Sequence, residues 1–198
     1  MKYMRIFILL ASVLLTCCSG NDDPEVEPEY ICPENDQVYQ ELLLSDTETS
    51  IECTFDCIDF TFCLLNEEGV PATKFKEGEN FSFHFKITNN RKDELYVDAS
   101  LSGFFCNPDR GNVNTSDTTI KFPRILTCLA VGHKHPFFDD SRSIETNLPW
   151  VDGEPKVHIP KGKYYTEFTH SFEFFIEIGW TPIVSVGPLT FKINFEIE

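Results

Sequence analysis

The sequence has no apolar run long enough to cross a bilayer as a helix. The longest run, residues 6–15, contains ten residues, and a helix of that length rises about 15 Å, half the thickness of the hydrocarbon core. Basic residues are also few, because 16 Lys and Arg stand against 32 Asp and Glu, and the formal net charge is −16. Polyanions repel such a chain, which argues against nucleic acid as a partner.

Recognisable catalytic motifs are missing as well. The sequence contains neither G-x-S-x-G nor H-E-x-x-H, the patterns that present a nucleophilic serine or a zinc-bound water. The many carboxylates supply chance pairs of the kind that glycosidases use, but no pair stands in a recognisable motif. We therefore expect a protein that is not an enzyme and holds no cofactor, with a carboxylate-based hydrolase as a further alternative.

The N-terminal segment has the composition of an export signal. Lys2 and Arg5 precede the apolar run, which ends in Leu14-Leu15-Thr16-Cys17-Cys18 instead of an A-x-A cleavage site. This ending resembles a bacterial lipobox, in which a cysteine is acylated and becomes the mature N-terminus. The resemblance implies a signal peptide over residues 1–17 and acylation of Cys18, with Cys17 as the alternative. Membrane lipid is then a partner, since each buried methylene of an acyl chain contributes about 0.8 kcal/mol.

An acidic, proline-containing stretch follows the cysteines. Residues 19–23 (Ser-Gly-Asn-Asp-Asp) resemble the export signal of surface lipoproteins from Bacteroidetes-type bacteria. The resemblance implies a protein anchored in the outer membrane and exposed on the cell surface. We expect residues 18–50 to form this lipidated acidic tether and a bridging segment, in which residues 38–44 form a helical turn or two, or an early strand. Residues 51–198 are expected to form a single domain.

Six cysteines remain if Cys18 carries lipid. An even number of cysteines in an oxidising compartment predicts up to three disulfides, and spacing does not choose the pairing. A zinc site at the C-x-x-x-C spacing is disfavoured, because no second Cys or His pair lies at matching spacing. The cysteines expected to form disulfides are Cys32, Cys53, Cys57, Cys63, Cys106 and Cys128.

Alternating apolar and polar residues predict strands throughout the domain, and the 19 Phe favour strands over helices. Residues 58–64 alternate with the even positions apolar. Residues 81–87 and 95–101 alternate in the same way and are joined by a short polar stretch, so we expect them to form a hairpin. Residues 162–176 and 189–197 predict two further strands.

The best-defined strand carries a pattern-level resemblance. Gly78-Glu79-Asn80, the alternation that follows and the closing Asn89-Asn90 resemble Ig-like domains of bacterial exported proteins. The pattern is also similar to β-domains of the intracellular proteinase inhibitor type. The resemblance implies an Ig-like domain. The many predicted strands and the lack of a long helix favour an all-β fold, a mostly antiparallel Ig-like β-sandwich with long loops and little helix, and a single sheet covered by long loops is the alternative.

The predicted loops carry the candidate binding residues. Phe137, Phe138 and Trp150 are aromatic residues of the kind that stack on sugars or pack against protein, although core filling is the alternative for each. His133 and His135 lie on one face of an extended chain and with Asp139 form a candidate set for a divalent metal. We favour a solvated polar loop and no metal, because one short loop seldom supplies a full coordination shell.

These expectations combine into a function. The anchor, the acidic tether and the loops predict a surface-displayed, non-catalytic binding or adhesion module, whose ligand, a glycan or a protein, the sequence does not name. The alternative, from the inhibitor-like strand pattern, is an inhibitor or assembly partner that faces the periplasm.

Overall fold

The computed structural model describes residues 40–44, 48–97, 111–121, 135–136, 143–150, 158–176 and 181–198. These residues belong to one compact unit, Cys32–Glu198. Every regular element among them is a β-strand, and this part of the chain contains no helix that could cross a membrane. The strands are β1 (Gln40–Leu43), β2 (Ser50–Phe55), β3 (Ile58–Leu65), β4 (Lys74–Phe75), β5 (Ser82–Asn89), β6 (Tyr96–Val97), β7 (Val113–Asn114), β8 (Thr119–Ile120), β9 (His135–Pro136), β10 (Ser143–Pro149), β11 (Gly162–Phe175) and β12 (Val184–Ile197).

The strands form two sheets. The smaller sheet has the order β10-β5-β3-β2 and is antiparallel throughout. The larger sheet follows the path β1-β12-β11-β6-β9, with β4 also on β12 and β7 on both β11 and β8. Among the described strands only β1 and β4 run parallel to their neighbour, β12. The all-β prediction is therefore confirmed at the level of two mainly antiparallel sheets.

The period-two pattern of the sequence sets which side of each sheet is buried. In β3 the four apolar side chains Ile58, Phe60, Phe62 and Leu64 are fully buried, as the alternation predicts. In β5 the residues Phe83, Phe85 and Ile87 are buried in the same way. Burying a side chain of this size stabilises a fold by about 1.5–3 kcal/mol, so these two strands anchor the smaller sheet.

Phenylalanine rings join the two sheets. Phe60 of β3 lies 4.8 Å from Phe172 of β11, and Phe62 lies 4.9 Å from Phe168, measured between ring centroids. Phe85 of β5 meets Phe191 of β12 edge to face at 5.6 Å. The inner faces of the two sheets therefore share one core, and this aromatic layer accounts for much of the high phenylalanine content.

The turn between β2 and β3 depends on two residues in the left-handed region. Asp56 and Cys57 have φ angles of 48° and 59°, the pattern of a two-residue hairpin turn that matches the twist of its strands. Arg91 Nη1 binds Asp56 Oδ2 at 2.7 Å, and the Asn90 amide donates to the Cys57 carbonyl at 2.9 Å. The segment after β5 thus holds the turn in place.

The hairpin expected from residues 81–87 and 95–101 is wrong, because β5 lies in the smaller sheet whereas β6 pairs with β11 and β9 of the larger one. Alternation identifies a strand but not its partner, and here the chain crosses between sheets. In the bridging segment, where a helical turn or a strand was expected, Gln40–Leu43 forms β1.

Candidate functional site

The described cysteines differ from the disulfide prediction. Cys53 and Cys63 are free thiols, so the expectation that these two cysteines form disulfides is corrected. They lie on opposite faces of the smaller sheet, Cys53 toward the core and Cys63 on the outer face, which keeps them apart. Cys57 is disulfide-bonded. The residues Cys17, Cys18, Cys32, Cys106 and Cys128 lie outside the described part of the chain.

One rung of the smaller sheet places Cys63, His84 and Asn147 side by side on its outer face. His84 Nδ1 donates to Asn147 Oδ1 at 2.6 Å. Enzymes with a cysteine nucleophile use the same three residue types: the Cys thiol attacks, the His acts as its base, and the Asn amide orients the His. However, Cys63 is only 1% exposed, and burial, followed by the charge of Glu52, raises its thiol pKa to about 12. A buried, protonated thiol is a poor nucleophile, so this rung is structural.

The other predicted site residues are not assembled by the described structure. Trp150 is 2% exposed and stacks on Phe81 with the rings 5.7 Å apart, so it is a core residue and the prediction of a ligand contact is corrected. Only the backbone of His135 is described, in β9. Phe137, Phe138, His133 and Asp139 lie outside the described residues. Within the described ranges no group of three His, Cys, Asp or Glu is placed to hold a metal ion.

A polar pocket of about 430 Å³ lies on the larger sheet. Its volume is in the range of sites that take small molecules. Residues from β4, β11 and β12 line it, together with the segment after β1 and the turn between β7 and β8, so both long strands contribute. The lining residues are Leu44, Glu48, Thr73, Lys74, Thr115, Ser116, Lys163, Tyr164, Tyr165, Asn194, Phe195 and Glu196.

Strand alternation explains why the floor of this pocket is polar. In β11 the residues Tyr164, Thr166 and Phe168 are buried, so Lys163 and Tyr165 point to the outer face. In β12 the residues Ile193 and Phe195 are buried, so Asn194 and Glu196 point outward as well. Register then pairs the outward residues: Tyr165 stands beside Asn194 of β12 and Asn114 of β7, and Lys163 stands beside Glu196. Tyr165 and Asn194 therefore lie side by side in the pocket lining.

The charges around the pocket nearly balance. Lys74 binds Glu198 Oε1 at 3.0 Å. The hydrogen bond to Glu198, then the charges of Glu198 and Glu196, raise the Lys74 pKa. Lys163 on the same side faces Glu196 across the strands, and Glu48 adds a second carboxylate to the lining. With two Lys and two Glu, the lining carries no net charge of either sign.

Tyr164 and Tyr165 have different roles although they are adjacent. Tyr164 is 8% exposed, stacks on Phe195 and donates its hydroxyl hydrogen to the Pro160 carbonyl at 2.7 Å. Burial raises its pKa. Tyr165 is half-buried on the outer face, where Lys192 Nζ lies 4.4 Å from the ring centroid and binds Glu167 Oε2 at 3.1 Å. Tyr164 therefore supports the sheet, whereas Tyr165 is available to the pocket.

The edge of β12 is interrupted beside the pocket. On this edge β1 pairs with residues 189–192 and β4 pairs with residues 196–197. The Leu44 amide donates to the Lys192 carbonyl at 3.3 Å, and the Glu196 amide donates to the Thr73 carbonyl at 2.9 Å. Because alternate residues of a strand direct their backbone groups to the same side, the N–H and C=O of Asn194 point into the break between β1 and β4.

Sequence reasoning missed this pocket. Its residues come from segments up to about 150 positions apart (Leu44 and Asn194), and none of them stands in a motif. One signal was present, because the outward positions of the two long strands carry Tyr, Asn, Lys and Glu together. That pattern is compatible with an ordinary solvated face, and only the pairing of β1, β4 and β7 with these strands makes it concave.

No protein family, no curated protein and no solved structure matches this chain.

Proposed function

We propose that this chain is a lipid-anchored bacterial envelope protein whose domain is a non-catalytic binding module that holds a small polar ligand in the pocket on β11 and β12. The observation that carries the proposal is the pocket itself, with Tyr165 beside Asn194 on two paired strands of the sheet. Binding residues on paired strands hold their positions without help from a loop. The finer fold class that we propose is the Ig-like β-sandwich, supported by two mainly antiparallel sheets around one core.

The proposed location depends on the N-terminal sequence. The lipobox-like ending at Cys17 and Cys18 and the acidic residues after it support an outer-membrane lipoprotein displayed on the cell surface. The Cys17→Ser, Cys18→Ser double variant is expected to leave the membrane fraction. A double variant that still fractionates with membranes contradicts the anchor.

Protease treatment of intact cells, with lysed cells as the control, tests display. Digestion of the domain on intact cells is expected for a surface protein. Protection in intact cells with digestion after lysis contradicts display and favours the alternative, an inhibitor or assembly partner that faces the periplasm.

Binding is tested with the protein purified from membranes in detergent against a panel of neutral, anionic and cationic small glycans and peptides. At least one is expected to bind the unchanged protein and to bind the Tyr165→Ala variant at least fivefold more weakly. Thr169→Ala is the matched control, because Thr169 lies on the same strand and the same outer face but not in the pocket lining. Equal binding by the protein and the Tyr165→Ala variant contradicts the pocket as the site.

A further inference from the structure

Strand β2 forms one edge of the smaller sheet and pairs with β3 on its other side. Phe55 and Ile58 flank the two-residue turn, and a flanking pair of this kind exchanges backbone hydrogen bonds. Because backbone groups alternate in direction along a strand, those of Glu52 and Thr54 face away from β3. Among the described residues, these two make hydrogen bonds beyond the β2–β3 ladder only with their side chains. This edge of β2 therefore carries unpaired backbone groups.

The edge lacks most of the features that keep strand edges from pairing. Proteins protect open edges with lysine, proline or bulges, whereas β2, Ser-Ile-Glu-Cys-Thr-Phe, contains no lysine, proline or glycine and one charged side chain. Glu52 and Thr54 are exposed, so solvent reaches their side of the strand. The Arg91–Asp56 ion pair fixes the turn that follows. The edge is therefore held ready to accept another strand.

A second copy of β2 fits this edge when the two strands run antiparallel with Cys53 on the two-fold axis. Glu52 of one copy then lies opposite Thr54 of the other, and their outward backbone groups pair as in an antiparallel ladder. Ile51 lies opposite Phe55 of the other copy. Residues 51–55 all pair, and no carboxylate lies directly opposite another.

The other symmetric registers are less favourable. A register centred on Glu52 sets two carboxylates directly opposite each other, which destabilises a strand pair. Registers centred on Ile51 or Thr54 pair only three residues of the strand, 50–52 or 53–55. The register centred on Cys53 therefore combines the longest pairing with the absence of facing like charges.

Cys53 is also where the inner face of β2 is least covered. Ile51 and Phe55, the inward residues on either side of it, are each 6% exposed, whereas Cys53 is half-buried. Burial, followed by the charge of Asp59, raises the pKa of the Cys53 thiol to about 12, so the thiol is neutral and packs as a small apolar group. Facing residues of a non-hydrogen-bonded pair have Cα atoms about 4.5 Å apart, so each Cys53 would cover the other.

We infer that two copies of this chain associate through β2, antiparallel and centred on Cys53, so that the two smaller sheets become one continuous sheet. The contact is isologous, and it closes the pair because both β2 edges are used. The pocket lies on the larger sheet, so this association goes beyond the proposed binding function and does not depend on it.

Sedimentation equilibrium of the full chain in a density-matched detergent tests the association, with added salt to screen the net charge of −16. A reversible monomer–dimer equilibrium is expected. Thr54→Pro removes the N–H that faces the edge, where a strand tolerates proline, and is expected to raise the dimer dissociation constant at least tenfold. Thr54→Ala keeps this N–H and is the matched control, expected within threefold of the unchanged chain.

Two results of this measurement overturn the inference. One is a chain that stays monomeric at the highest attainable concentration, which would leave the edge to a strand of another protein. The other is a folded Thr54→Pro variant that dimerises as tightly as Thr54→Ala.

Charge at position 54 tests the register, because Thr54 lies opposite Glu52 of the second copy. Thr54→Lys is expected to dimerise at least fivefold more tightly than Thr54→Glu, since two facing pairs change from attraction to repulsion. The same two substitutions at Ser185, exposed on the larger sheet, control for net charge and are expected to differ less than twofold. Equal dissociation constants for the two position-54 variants overturn the inference.

Hydrogen exchange read at single residues gives a test that needs no variant and decides alone if Thr54→Pro does not fold. In dilute protein the amides of Glu52 and Thr54 are expected to exchange much faster than those of Cys53 and Phe55, which face β3. Concentrating the protein above the dissociation constant is expected to slow exchange at Glu52 and Thr54 at least fivefold. If both amides are already protected in the monomer, or still exchange fast in the dimer, the inference is overturned.

Discussion

At the scale of single residues, two glycines with a positive φ differ in what an added side chain would meet. Gly187 has a φ of 105°, and a Cβ built there would lie 2.7 Å from the Leu189 nitrogen and 2.8 Å from the His170 carbonyl oxygen. Both neighbours are backbone atoms of β11 and β12, which cannot move independently of the sheet. Gly69 also has a positive φ, of 76°, but its Cβ would meet nothing within 4 Å.

This contrast predicts the effects of two alanine substitutions. Gly187→Ala is expected to lower the free energy of unfolding by about 3 kcal/mol, because the conformational cost is joined by a backbone clash. Gly69→Ala is expected to cost about 1 kcal/mol, the conformational part alone. Urea unfolding of both variants measures the difference. Equal losses would show that the strands near Gly187 rearrange without cost.

The free thiol of Cys63 predicts a pH dependence. Burial raises the pKa of the Cys63 thiol from 9.0 to about 12. Below pH 9 the thiol is protonated in both the folded and the unfolded chain, so the stability of the fold is not reduced by its titration there. Above pH 9 the unfolded chain releases the proton first, and the free energy of unfolding falls by up to about 1.4 kcal/mol per pH unit from this group. Urea unfolding at pH 8.0, 9.5 and 10.5 is expected to give a shallower decline for Cys63→Ala. Thr61→Ala, on the same outer face, should keep the original slope.

At the scale of secondary-structure elements, β1 shows how a segment outside the predicted domain becomes part of a sheet. Its backbone pairs with β12, and the alternation continues through it, since Leu42 is 9% exposed whereas Leu43 is 59% exposed. Leu44, after the strand, is also buried and lines one end of the break in the β12 edge. The element therefore covers the core and limits the pocket at the same time.

Adjacent leucines test this arrangement directly. Leu42→Ala is expected to lower the free energy of unfolding by about 2–3 kcal/mol through lost burial, and Leu43→Ala by less than about 0.5 kcal/mol. Thermal or urea unfolding of the pair provides the measurement. A reversal of the order would mean that β1 meets β12 with its other face inward.

At the scale of the whole molecule, the two sheets depend on one aromatic core. Phe62 of β3 contacts Phe85 in its own sheet and Phe168 and Phe191 in the other. Loss of this ring therefore opens a cavity between the sheets, where the rings around it cannot collapse together without moving a strand.

Phe62→Ala is accordingly expected to lower the free energy of unfolding by about 3–5 kcal/mol. Thr61→Ala, its neighbour on the outer face, is the control and should change stability by less than about 1 kcal/mol. Both are measured by urea unfolding followed by fluorescence and circular dichroism. If the fluorescence and circular dichroism transitions coincide and Phe62→Ala changes the free energy of unfolding only slightly, the result would contradict a core shared by the two sheets.

The sequence by itself determined the strands and their buried faces. Alternation at residues 58–64, 81–87 and 189–197 gives the same inward side chains that the structure buries, because a period of two leaves an apolar face only one stable orientation. The sequence also contains the N-terminal signals, which depend on local residue order and remain predictions. Trp150 shows the limit, since the sequence allows either a ligand contact or core filling for an aromatic beside a predicted loop, and the structure places it in the core.

Only the tertiary structure decided which strands are neighbours. The partner of a strand depends on contacts between distant segments, and backbone hydrogen bonds are alike for every residue type, so the side-chain pattern does not encode them. For this reason β6 could not be assigned to the larger sheet from its alternation, and β1 and β4 could not be seen to share an edge of β12. The pocket lies beside the place where those two strands stop short of each other.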